Sequence, residues 1–264
     1  MDLKLKDKTV LVTGSTAGIG LAIAQTLAHE GANVVINGRS KERVTQAIHK
    51  IRTTFPDAKL IASPADLSQK NEVEVLLQQI STVDVLVNNV GIYNPKPFVD
   101  ITDEEWLQIF DVNVMSGVRL SRHYLIPMLQ QNWGRIIFIS SESGLQIPAE
   151  MVHYGMSKTA QLAIARGMAE ITAGTNVTVN SVLPGPTSSE GVSQFVTSIG
   201  KEQNKSPGEV ESEFFKTVRP SSLLKRFTSP EEIANMVAFL CSPLSSATNG
   251  ASVRVDGGII RSIA

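Results

Sequence analysis

At 264 residues the chain is long enough to bury most of its apolar surface and lies near the upper end of what one core holds. A net charge of −1 with 42% hydrophobic residues gives no electrostatic reason to expect nucleic acid as a partner, and the one cysteine, Cys241, excludes an internal disulfide framework. No apolar run reaches the ~20 residues that span a membrane, and residues 1–8 alternate charges without the apolar core of a signal peptide, so the expected location is the cytoplasm.

Short β-branched runs alternate with helical patterns along the chain. Residues 9–13 read as a strand and 19–30 as a helix ended by Gly31. Residues 33–37 form the next predicted strand, followed by a helix over 41–54 that stops near Pro56. A strand at 59–62, a helix over 72–80 and a strand at 83–88 come next; 103–130 is mostly helical and 135–140 is a fifth strand. A helix over 152–171 leads into a strand at 176–182, and one over 231–241 into a strand at 252–255. Near-continuous apolar strands imply burial on both faces, hence a parallel sheet with helices on each side. Right-handed crossovers then make it an α/β, doubly wound, Rossmann-type fold with ligands at the carboxyl ends of the strands. The alternation never resets, so residues 1–264 are expected to form a single domain.

One stretch breaks the rhythm. Residues 186–229 lack a strand pattern and carry two amphipathic patches, Val192, Phe195, Val196 and Ile199, then Val210, Phe214, Phe215 and Val218. A long insertion of this kind is usually functional, and the spacing predicts a substrate lid of two short helices; the alternative is a subunit-packing arm.

Three short segments carry chemistry. Thr13-Gly14-Ser15-Thr16-Ala17-Gly18-Ile19-Gly20 is a glycine-rich turn between the first strand and a helix. Gly14 allows a backbone conformation closed to other residues, Gly18 clears space for phosphates, and Gly20 lets the helix lie close to the sheet. The helix amino end then offers free N–H groups and a positive dipole to a pyrophosphate. Tyr154 and Lys158, four apart, share one helix face, and Ser141 lies thirteen residues before the tyrosine. At the end of the second strand, where an NAD-selective site offers a carboxylate, the chain has Asn37-Gly38-Arg39-Ser40. Arg39 can pair with a 2′-phosphate and Ser40 can add a hydroxyl, so NADP(H) is preferred over NAD(H).

With Asp66-Leu67, Asn88-Asn89-Val90-Gly91, Asn113, Pro184-Gly185 and Asp256-Gly257-Gly258 in the same order, the chain resembles the short-chain dehydrogenase/reductase family, in its single-domain branch, nearly end to end. The resemblance implies hydride transfer between a nicotinamide cofactor and a ketone or aldehyde/alcohol pair. The cofactor then lies against Gly14, Ser15, Thr16, Gly18, Ile19 and Gly20, with Arg39, Ser40, Asp66 and Leu67 along the adenosine side and Asn89 and Gly91 in the segment that passes under it. Pro184, Gly185 and Thr187 fall at the nicotinamide pocket, and Tyr154 and Lys158 touch the cofactor as well. It also implies a homotetramer packed through 103–130 and 152–171.

Reducing a carbonyl needs hydride at carbon and a proton at oxygen. A free phenol, with a pKa near ~10, is a weak acid at neutral pH, so Lys158 and the positive nicotinamide ring of the oxidised cofactor are expected to lower the Tyr154 value. Ser141 is expected to hydrogen-bond the carbonyl oxygen. Asn113, by the resemblance, sits at a helix break and supports a water chain. Asp66 also reads as a turn residue, Asn89 as a turn brace, His153 as packing and Glu142 as structural. Substrate contacts are expected from Ser141, Tyr154 and Gln146, with Tyr93, Ile147 and Met151 in a mostly apolar wall. No metal site is expected. A cofactor-sensing regulator on the same fold remains the alternative, although it would not need Ser141, Tyr154, Lys158 and Asn113 together.

Overall fold

The strands that the sequence makes most apolar lie at the centre of the sheet. In the computed structural model, which describes residues 1–189, 192, 197, 200 and 205–263, β1 (Thr9–Val12), β4 (Val85–Asn88), β5 (Gly134–Ile139) and β6 (Val177–Pro184) are buried almost throughout. β2 (Asn33–Gly38) lies beside β1, while β3 (Leu60–Pro64) and β7 (Ser252–Val255) form the half-exposed edges. The described strands make one seven-stranded sheet in the order β3-β2-β1-β4-β5-β6-β7, parallel throughout. The order reverses between β1 and β4, which opens a crevice at their carboxyl ends.

Alternation along each strand feeds two cores. Val10, Val12, Val34, Ile36, Val85 and Val87 face α1 (Gly18–His29), α2 (Lys41–Thr54) and α8 (Pro230–Cys241). Leu11, Val35 and Leu86 face α3 (Lys70–Gln79), α5 (Ser116–Gln130) and α6 (Val152–Ile171). Burying a Val, Leu or Ile side chain contributes about 1.5–3 kcal/mol, so each slip of register would forfeit several such terms at once.

The helices over 41–54 and 152–171 and the strand at 252–255 fall where the sequence puts them. The predicted 103–130 stretch divides into α4 (Asp103–Phe110), a π-helical turn (Asp111–Met115) and α5. β6 continues past its expected end to Pro184, paired with Val255. Proline is tolerated there because the ladder ends at that residue.

Within 186–229, α7 (Pro207–Thr217) forms on the second amphipathic patch, opened by a Ser206/Glu209 capping box with proline in its first turn. Phe214, Phe215 and Phe227 cluster with centroids 5.1–5.2 Å apart. A bridge between Thr187 and Thr228 ties the two ends of the segment. Val192 is helical; Phe195, Val196 and Ile199 lie outside the described residues. Among the described residues no helix is long and apolar enough to cross a membrane.

Candidate active site

The glycine turn closes at the carboxyl end of β1. Gly14 (φ +61°) and Gly18 (φ +52°) adopt left-handed conformations, and a Cβ on Gly20 would fall 2.4 Å from the Gly14 carbonyl oxygen. Asn89 braces the turn, donating from Nδ2 to the Thr13 (2.9 Å) and Gly14 (3.2 Å) carbonyls, while its own N–H reaches Thr13 Oγ1 (2.8 Å). Val90 lies over Gly14, its Cγ2 3.1 Å from where a Cβ would stand. Among the described residues no side chain caps the amino end of α1. Left-handed glycines, missing Cβ atoms and an uncapped helix end make a cradle that fits a dinucleotide pyrophosphate.

Ser15 does not present its side chain to that cradle. It is fully buried, and its hydroxyl accepts from Asn37 N at 2.9 Å, binding the turn to β2. Gly38 leaves room for Thr16, whose Cγ2 would lie 2.5 Å from a Cβ there. Ile19 packs against the core. Arg39 is exposed and has no hydrogen bond or ion pair among the described residues. Ser40 caps α2, its hydroxyl accepting from Arg43 N at 3.3 Å, which leaves its proton to donate. The Asp66 carboxylate holds a turn, accepting from Ser68 N (3.0 Å) and Ser68 Oγ (2.8 Å), and Leu67 is buried beside it.

Across the crevice, the π-helical turn presents Asn113. Its Nδ2 donates to the Ile92 carbonyl and to Ser157 Oγ, both at 2.9 Å, and its Oδ1 accepts from Ile92 N at 2.7 Å. The segment past Gly91 is thereby fixed to α6; a Cβ on Gly91 would lie 3.4 Å from Lys158 Nζ. The Asn113 carbonyl accepts from Gln161 Nε2 at 2.6 Å. Lys158 Nζ donates to the Ile139 carbonyl (2.9 Å) and to Gln161 Oε1 (3.3 Å), and stands 5.6 Å from the Tyr154 ring centroid. Gln161 and Ser157 were not singled out in the sequence; Gln161 follows Lys158 by three on one helix face, and that spacing was the available signal.

Ser141 lies two residues past β5 and opens a short 3-10 turn, Glu142–Gly144. Its hydroxyl accepts from Ser143 N at 3.1 Å and donates to Glu142 Oε2 at 2.5 Å, so its proton points at a carboxylate rather than toward a carbonyl. The turn is stitched to α6 by Ser140 Oγ donating to the Lys158 carbonyl (2.8 Å) and Thr159 Oγ1 donating to the Gly144 carbonyl (2.7 Å).

The expected lowering of Tyr154 by Lys158 is not what this geometry produces. Burial, followed by the Glu142 carboxylate, pushes the phenol above its ordinary value; a hydrogen bond with Ser141 works the other way, and Tyr93 adds to the rise. Burial instead pulls Lys158 down to about 7, which weakens the cation that was to stabilise the phenolate.

The remaining predicted residues divide. Gln146 and Ile147 are exposed and Met151 is half-buried, and the Tyr93 ring lies 6.2 Å from the Tyr154 ring. Pro184 and Gly185 end β6 against Asp256, where a Cβ on Gly185 would fall 2.7 Å from the Asp256 carbonyl. Thr187 is buried, its hydroxyl engaged with the Gly185 carbonyl and with Thr228 Oγ1, both at 2.9 Å. A carboxamide contact would therefore have to share that hydroxyl. His153 packs on Trp106 at 5.8 Å. Arg219, also absent from the sequence reading, pairs with Glu142 and Glu150, each at 3.3 Å.

A glycine cradle facing a phenol, an ammonium and a hydroxyl across the switch point of a parallel sheet defines a dinucleotide-dependent oxidoreductase. A family model described as short chain dehydrogenase matches residues 8–199. The chain is 50% identical over 263 residues to the uncharacterized oxidoreductase YvaG of Bacillus subtilis (strain 168), with 100% of each covered. It is 34% identical over 263 residues to the 3-oxoacyl-(acyl-carrier-protein) reductase FabG of Aquifex aeolicus (strain VF5), covering 98% of this chain and 100% of that one. Among solved structures it resembles the L-sorbose reductase of Gluconobacter frateurii complexed with NADPH and L-sorbose, with a TM-score of 0.92 at 28% identity and full coverage of both chains. The chain belongs to the short-chain dehydrogenase/reductase family: it is an oxidoreductase on a fold that binds NAD(H) or NADP(H).

Proposed function

We propose that the protein interconverts a ketone or aldehyde with its alcohol using NADP(H), with Tyr154 as the proton donor and acceptor at the reacting oxygen. The observation that carries this reading is the convergence of Tyr154, Ser141, Lys158 and Asn113 beside the glycine cradle. The bound nicotinamide would supply or accept the hydride. Tyr154 is protonated at neutral pH and holds the proton that a carbonyl oxygen would receive, but burial and Glu142 make it a weaker acid than a free phenol, so its proton transfer works against that raised value. Ser141 places an oxygen against the same phenol, and Lys158 and Asn113 hold the floor of the site through α6 and the π-helical turn.

The preference for NADP(H) is supported by Arg39, a guanidinium left unpaired among the described residues at the end of β2, with no carboxylate at 37–40. A related fold holds NADPH in the L-sorbose reductase. The assembly we expect is a homotetramer. Leu107 and Ile126, on α4 and α5, are apolar and more than half exposed, and light scattering that reads a monomer would remove this part.

The test is NADPH consumption over ketones, aldehydes, quinones and 3-oxoacyl thioesters, with Tyr154→Phe alongside. Turnover by the wild type and a loss of about 10²–10⁴-fold in the variant is expected. Tight NADPH binding without turnover on any member of the panel would overturn the reading.

A further inference from the structure

A buried carboxylate stands beside the proposed proton donor, and neither the fold nor hydride chemistry explains it. The Glu142 side chain is only 6% exposed. One of its oxygens takes the proton of Ser141 at 2.5 Å, and the other faces Arg219 Nε at 3.3 Å. Arg219 follows α7, where its own N–H donates to the Phe214 carbonyl, and it is 11% exposed. Its Nη1 reaches Glu150 on the turn that precedes α6. Burying an ion pair is costly unless both partners are well hydrogen-bonded, and here each Glu142 oxygen has a partner. Two carboxylates share one guanidinium, so the cluster carries a residual negative charge next to Ser141 and Tyr154. The other charged and titratable groups facing it are Tyr93, from the loop after β4, and Lys158, whose ammonium is turned to Ile139 and Gln161.

We propose that Glu142, anchored by Arg219, is a positioning and specificity-determining residue that selects uncharged carbonyl compounds and alcohols against those carrying a carboxylate near the reacting carbon. Two physical effects act together. The carboxylate, itself only 6% exposed, repels an anionic substrate. It also takes the single Ser141 proton while Ser143 N–H engages one lone pair, so that Ser141 keeps one acceptor site for a hydroxyl of the substrate. Burial of Lys158 removes part of the positive charge that would otherwise offset the repulsion.

The inference rests on the carbonyl-reductase reading, and the experiment separates the two. NADPH-dependent kcat/KM is measured for ethyl acetoacetate and for acetoacetate with wild type, Glu142→Gln and the double variant Glu142→Gln/Arg219→Gln. Gln keeps an acceptor for Ser141 and deletes the charge. The wild type is expected to favour the ester by about tenfold or more, and the variants to shrink that ratio by about tenfold, chiefly through KM for acetoacetate. The pKa of kcat assigned to Tyr154 is expected to fall in the variants, a change that a purely structural role would not produce.

A wild type that prefers acetoacetate overturns the inference without recourse to any variant. So does an unchanged ratio in either variant that retains the wild-type melting temperature and NADPH affinity; the double variant leaves no orphaned guanidinium and serves if the single one unfolds. If the wild type turns over no carbonyl compound at all, the carbonyl-reductase reading fails first and the inference with it.

Discussion

Gln161 donates from Nε2 to the Asn113 carbonyl at 2.6 Å, joining α6 to the π-helical turn across 48 residues of chain. Its Oε1 accepts from Lys158 on the same helix. One buried amide therefore sets both the turn that presents Asn113 and the direction of the Lys158 ammonium. Replacing it with leucine leaves the Asn113 carbonyl without this donor and Lys158 with one fewer acceptor. A buried polar group left unpaired costs about 1–3 kcal/mol, and in a chain of this size each kcal/mol lowers the melting temperature by about 2–4 °C. Gln161→Leu is expected to melt lower by that amount in calorimetry and to lose about tenfold in kcat, well short of the loss in Tyr154→Phe. A variant that melts and turns over like wild type would remove Gln161 from this role.

Arg39 stands exposed at the end of β2 with no partner among the described residues. Arg39→Asp is expected to weaken NADPH binding by about 1–3 kcal/mol, the range for a charge-assisted contact, and to leave NADH binding unchanged or improved. Titration of both cofactors by fluorescence reads this directly. Equal losses for the two would show that Arg39 does not sense the 2′-phosphate.

Stability should carry the signature of Lys158. Burial pulls this group down to about 7, whereas a lysine in the unfolded chain titrates near ~10.4. Between these values the unfolded chain binds more protons, so stability rises with pH across the window; the cost of burying the ammonium is fully present below about pH 7. Tyr154 and Cys241, both raised by burial, act in the opposite direction at the alkaline end, and the comparison is therefore made against Lys158→Met. The stability advantage of the methionine variant is expected to be greatest in acid and to shrink by up to about 1 kcal/mol per pH unit through the window. Denaturant unfolding across pH checks this, and a pH-independent difference would contradict a depressed lysine.

The elements were legible wherever a local pattern decided them. The limits of α2, α6 and β7 matched their predicted ranges, because periodicity and capping act within a few residues. The division of 103–130 was not visible to periodicity: residues 111–115 keep the helical sense and differ only in the width of one turn. Ser15 and Thr187 sit in cofactor-binding motifs, but the partners of their side chains, Asn37 and Thr228, lie 22 and 41 positions away and no motif announces them. The sequence offers Lys158, four residues off, and the nicotinamide ring as groups that lower Tyr154; among the protein's own groups desolvation and Glu142 outweigh an ammonium that burial has itself weakened.

The sequence by itself determined the parallel sheet, the glycine turn at the end of β1 and the shared helix face of Tyr154 and Lys158, for these follow from strand alternation, backbone sterics and the helical repeat. Only the tertiary structure decided what surrounds them: that Arg219 reaches Glu142 from 77 positions away, that Gln161 holds Asn113, and that Glu142 takes the proton of Ser141. Those outcomes depend on which loops fold against one another and on how much water they exclude, and neither quantity is encoded within any short stretch of chain.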